Sequence, residues 1–77
     1  MSLFDQIVLK KVCQFYRDLQ GPVRTLLIAD FLGKHDRYVR GSLVRLEQQG
    51  YLARKGRRGG WYPKRIDVQQ AEEVSIA

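Results

Sequence analysis

Gly21-Pro22, Gly33 and Gly50 cut the first part of the chain into three short segments, each with apolar residues at helical spacing. Three short helices are therefore the frame that any fold must use. In the first segment Phe4, Val8, Val12, Phe15 and Leu19, joined by Ile7, recur every three or four residues and predict helix one over about 3–20. Ser2 followed by Asp5 resembles a capping box, and Gly21-Pro22 stops the helix because Gly takes a left-handed conformation and Pro cannot continue. Leu26, Leu27, Ile28, Ala29, Phe31 and Leu32 predict helix two over about 25–33, with Thr25 as its cap. Helix three follows over about 36–49, begun by His35 or Asp36, of which Asp36 is the better acceptor. Val39, Leu43 and Leu46 face inward at i, i+4, i+7.

After Gly50 the pattern changes to Tyr-Leu-Ala-Arg-Lys, Gly-Arg-Arg-Gly-Gly, Trp-Tyr-Pro-Lys-Arg, which reads as a β-hairpin over about 51–65. Pro63 implies an edge position, where its missing N–H costs nothing. Trp61 and Tyr62 alternate across the strand, so one seals the core while the other lies on the outer surface. The segment 67–77 is an acidic tail or a short helix, with Val68, Ala71 and Val74 at three-residue spacing.

A chain of 77 residues has room for one modest core and no second domain, because it buries only about 60% of the surface its unfolded form exposes. A large substrate pocket is not expected. With Cys13 as the single cysteine and His35 as the single histidine, neither a disulfide framework nor a Cys/His zinc set is expected. No Ser-His-Asp order, catalytic metal cluster or phosphate-binding glycine loop is present, so the expectation is a protein that is not an enzyme and takes no cofactor. No apolar run reaches the roughly 20 residues of a membrane span, and Met-Ser-Leu-Phe-Asp carries no basic leader; a cytoplasmic or, in a bacterium, nucleoid-associated protein with no membrane partner is expected.

Charge decides the class of partner. Residues 34–65 carry ten basic and two acidic side chains, a net of +8, whereas residues 1–33 hold +1 and residues 66–77 hold −3. Cations concentrated on one stretch are the footprint of a polyanion, since neutralised phosphates release condensed counterions. A solvated surface usually intersperses both signs.

The order helix, short helix, turn, helix, basic hairpin resembles the winged helix-turn-helix family of bacterial regulators. The likeness rests on Ile28-Ala29-x-x-Leu32-Gly33 and on Val39-x-x-x-Leu43-x-x-Leu46-Glu47-x-x-Gly50-Tyr51-Leu52, and it spans roughly residues 25–65. The resemblance implies an α+β, mainly helical fold, with three helices and a two- to three-stranded β-wing over residues 1–66. It also implies double-stranded DNA as the partner, with helix three in the major groove and the wing on the backbone or minor groove. The Z-DNA-binding winged helices are a poorer match. Their recognition-helix Asn and Tyr fall on Arg40 and Val44, and Pro63 follows Trp61 instead of preceding it.

The outward face of helix three then carries Arg37, Gly41, Val44 and Gln48, flanked by Arg40 and Arg45. Arginine presents two parallel donors to guanine, Gln48 suits adenine or a phosphate, and Val44 suits a thymine methyl. Gly41 weakens a helix interior by about 1 kcal/mol relative to alanine and asks for a reason: close approach of a partner, or packing against Leu27 or Phe31. Tyr38 either donates to a phosphate or packs against helix two. In the wing, Arg54, Lys55, Arg57, Arg58 and Lys64 supply the cations, and the interleaved glycines let the loop follow a phosphate ridge.

Leu9, Cys13 and Tyr16 form a second apolar stripe on helix one, the expected face of a homodimer. The alternative functions are a protein-interaction module of a larger assembly and an accessory protein binding DNA or RNA without sequence preference. No small-molecule substrate is expected.

Overall fold

The computed structural model describes residues 1–56 and 59–64. The expectations for Arg57, Arg58 and the tail 67–77 lie outside the described residues. Three helices, α1 (Leu3–Leu19), α2 (Thr25–Leu32) and α3 (Asp36–Gln48), precede an antiparallel pair, β1 (Leu52–Arg54) and β2 (Trp61–Pro63). The protein is mainly helical with one small sheet, as the α+β expectation has it. No helix among the described residues is long and apolar enough to cross a membrane.

Each helix end has a local cause, and three differ from expectation. Ser2 caps α1 by accepting the Asp5 amide at 3.0 Å, but the Asp5 carboxylate faces α3. The left-handed residue after α1 is Gln20, at φ 56°, rather than Gly21. Arg24 occupies the N-cap of α2 without a side-chain cap, because the hydroxyl of Thr25 accepts Trp61 Nε1–H at 3.0 Å instead. At α3 the cap is His35, whose Nδ1 accepts the Arg37 amide at 3.1 Å. Nδ1 also lies 3.1 Å from Asp36 Oδ1; as the acceptor in this cap it has no proton to donate there. Gly33 and Gly50 end α2 and α3 with positive φ.

The core joins Val8 and Val12 of α1, Val23, Ile28 and Ala29, Val39, Leu43 and Leu46 of α3, Leu52 and Trp61. The inward face expected of α3 is thus fully buried. α1 is covered on two sides, by α3 and by β2, which explains its second apolar stripe. Cys13 is completely buried, and Leu9 and Tyr16 pack against the core. Cys13 is therefore closed to a partner, while Leu9 and Tyr16 are half-buried. Exposed apolar side chains include Met1 before α1, Leu3, Ile7 and Leu19 of α1, and Leu26, Leu27 and Phe31 of α2. Phe31 meets Phe15 edge-on, with ring centroids 5.5 Å apart, under the ammonium of Lys11.

The hairpin pairs Leu52 with Pro63, Ala53 with Tyr62 and Arg54 with Trp61. The amides of Lys55 and Lys64 donate to Gly60 and Tyr51, so the Leu52–Pro63 pair is not hydrogen-bonded and the Pro63 nitrogen points away from β1. Its missing N–H therefore costs nothing. On the other side of β2, Val23 and Trp61 exchange two backbone hydrogen bonds of 2.8 Å, which ties the α1–α2 loop to the hairpin.

Candidate nucleic-acid interface

The three helices and the hairpin bring basic side chains distant in sequence to one side of the molecule. Arg24 at the start of α2, Arg40 in the middle of α3 and Arg54 at the end of β1 line a single open cleft of about 210 Å³ with Thr25, Leu26, Gly60 and Trp61. No carboxylate is among the lining residues. Arg24 and Arg40 have no ion-pair partner among the described residues. Arg54 is held in place, because its guanidinium lies 4.6 Å from the Trp61 ring centroid and donates from Nη2 to Glu47 Oε1 at 2.9 Å. Trp61 itself is buried, so it seals the core and is not available to stack on an unpaired base. Tyr62 is the half-buried neighbour.

On the outward face of α3, Arg37 and Gln48 are exposed. Val44 is half-buried and packs against the core. Tyr38 stacks on α1 rather than α2, with its ring centroid 4.6 Å from that of Phe4, and stays exposed. Lys55 and Lys64 are exposed on the hairpin.

Gly41 is open. A Cβ built there would meet only Arg45 Nη1, at 3.6 Å, an ordinary contact, and neither Leu27 nor Phe31 comes near it. Internal packing therefore gives no reason for glycine at this position.

Arg45 is likewise not a free cation. Its Nε and Nη2 donate to the two carboxylate oxygens of Asp5 at 3.1 and 2.8 Å, and Ser42 Oγ donates to Asp5 Oδ1 at 2.6 Å. These bonds, the guanidinium foremost, hold the Asp5 carboxyl at about 2, below its ordinary 3.8, against the opposing effect of burial. The same partnership raises the Arg45 guanidinium. Asp5 and Arg24 are the residues that the sequence reading missed. The signal for Asp5 was an acid on the same helical stripe as Val8 and Val12. For Arg24 it was a cation immediately before a helix, where the positive end of the dipole disfavours it.

No family model, curated protein or solved structure matches the chain. The site residues alone must therefore carry the functional argument. Among the described residues no group of three or more His, Cys, Asp or Glu side chains could hold a metal ion. What the surface offers is fixed positive charge, exposed hydrogen-bond donors and one bare stretch of helix backbone.

Proposed function

We propose that this protein binds double-stranded DNA with sequence selectivity, as a small transcriptional regulator of the winged helix-turn-helix kind. The observation that carries the reading is the convergence of Arg24, Arg40 and Arg54, from three different elements, on one cleft beside the outward face of α3. Arg24 and Arg40 carry uncompensated charge beside Arg54, which Glu47 balances, and Arg24 also opposes the α2 dipole. A backbone phosphate relieves both and gains charge-assisted hydrogen bonds. With a phosphate in the cleft, α3 lies against the groove, Arg37 and Gln48 reach base edges, and Gly41 lets the helix backbone come close. The basic hairpin then follows the neighbouring backbone or minor groove.

The test is selection from random duplex DNA at moderate salt, with affinity followed against ionic strength. Enrichment of one motif supports the reading. Salt-sensitive binding without enrichment points instead to an accessory protein, and absence of binding to a protein partner. A twofold motif would identify a dimer, whose contact surface would have to do without the buried Cys13.

Two substitutions separate the roles. Arg24→Ala is expected to weaken binding to all duplexes alike and to lower the salt slope by about 1. Arg37→Ala is expected to relax base preference at one position, by about 1 to 3 kcal/mol. Equal effects of both on all sequences would rule out this division. Gly41→Ala provides a third check. It should stabilise the free protein by up to about 1 kcal/mol, since the methyl group fits, yet weaken duplex binding at least tenfold. Thermal melting and titration of the same sample read the two effects with opposite signs.

A further inference from the structure

We infer that Asp5 is a positioning residue that fixes Arg45 to read guanine, a deduction that rests on the duplex-DNA reading above. A guanidinium has five N–H donors in one plane. Asp5 takes one from Nε and one from Nη2, along the side edge of the fork. The end edge, one N–H of Nη1 beside the second N–H of Nη2, stays free. That parallel pair matches guanine O6 and N7. One arginine can therefore hold a carboxylate and a base together.

The surroundings place this edge at the proposed interface. Nη1 lies 3.6 Å from where a Cβ of residue 41 would stand, over the bare backbone of Gly41. No hydrogen bond from Nη1 to a described residue accompanies the two made to Asp5. The Asp5 side chain is 3% exposed and that of Arg45 52%, so the anchor is buried and the reader is outside. Ser42, fully buried, fixes the carboxylate from α3 itself. The rotamer freedom that an arginine ordinarily loses on binding has thus been lost on folding. Pairing also cancels most of the charge, so Arg45 adds little to sequence-independent attraction while it keeps directional donors.

The experiment uses the duplex motif enriched in the selection above. Each guanine is replaced in turn by 7-deazaguanine, which lacks the N7 acceptor. The wild type is expected to lose about tenfold in affinity at one guanine position of each site. Asp5→Asn should lose most of that discrimination at the same position, while affinity for unrelated duplex rises because the guanidinium charge is no longer cancelled. Arg45→Lys keeps a cation beside Asp5 without a fork and should lose the same position. A purely structural Asp5 would lower the melting temperature of Asp5→Asn and leave the guanine discrimination intact; that result overturns the inference. So does a wild type that selects a motif but is indifferent to 7-deazaguanine at every guanine. A wild type that binds no duplex overturns the DNA reading itself and this inference with it.

Discussion

Arg45→Ala is expected to unfold at a lower denaturant concentration than the wild type and to lose most of the rise of stability with pH that Asp5 contributes. In the wild type the Asp5 carboxyl sits at about 2 against 3.8 for an ordinary aspartate. Between these values the unfolded chain binds more protons, so stability rises with pH and its Asp5 component is complete above about pH 4. Removing Arg45 takes away the foremost of the bonds that lower Asp5 and leaves Ser42 and Ser2 to oppose its burial. The Asp5 carboxyl then moves up toward its ordinary value, the proton difference between folded and unfolded chains shrinks, and the Asp5 contribution to the pH dependence shrinks with it. Breaking a bidentate pair to a largely buried carboxylate costs about 3 kcal/mol at neutral pH. Urea midpoints from pH 3 to pH 7 would rise more steeply for the wild type than for the variant. Parallel curves would mean that Asp5 is solvated and the pair contributes little. For the same reason Arg45→Ala is a poor probe of DNA contact, and Arg45→Lys is the better one.

The second large effect is expected at Gly60. Its φ is +92°, and a Cβ there would stand 2.8 Å from the Val23 carbonyl oxygen and 3.0 and 3.1 Å from Val23 C and N. These are backbone atoms that cannot swing aside. Gly60→Ala therefore has to open the Val23–Trp61 bridge or shift the hairpin, losing two backbone hydrogen bonds and adding left-handed strain. The sum is about 3 kcal/mol. Trp61 is the single tryptophan, so a red shift of native-state fluorescence should accompany the loss as water reaches the indole. A substitution that changes neither stability nor emission would contradict the close approach of these two segments.

Much of the fold was legible because it follows from local rules. The spacing of Val39, Leu43 and Leu46 gave the inward face of α3, and the stop residues bounded the helices to within a residue or two. The hairpin followed from its glycines and aromatics. Local rules failed where a distant partner decided the outcome. Periodicity showed that Leu9, Cys13 and Tyr16 share a face, but whether water or β2 covers that face depends on packing. Thr25 looked like a cap until Trp61, far along the chain, took its hydroxyl. Arg45 and Arg54 counted as free cations in the sequence, although Asp5 and Glu47 bind them across elements. The charge map therefore overstated the number of free charges on that stretch. Arg24, outside the basic stretch, joined it only through the turn of the chain.

The bridge between Val23 and Trp61 has a bearing on how the protein is made. All three helices have left the ribosome before Trp61 has, yet Thr25 and Val23 both wait for that residue to complete their bonds. Leu52 and Trp61, in the two strands, are also part of the single core. A nascent chain halted after α3 would leave the Val23 backbone unpaired and the core without Leu52 and Trp61, so synthesis favours one late, concerted collapse over stepwise growth of a helical bundle. The basic hairpin is thus the closing piece of the core, and the cleft of Arg24, Arg40 and Arg54 exists only once the whole molecule is folded.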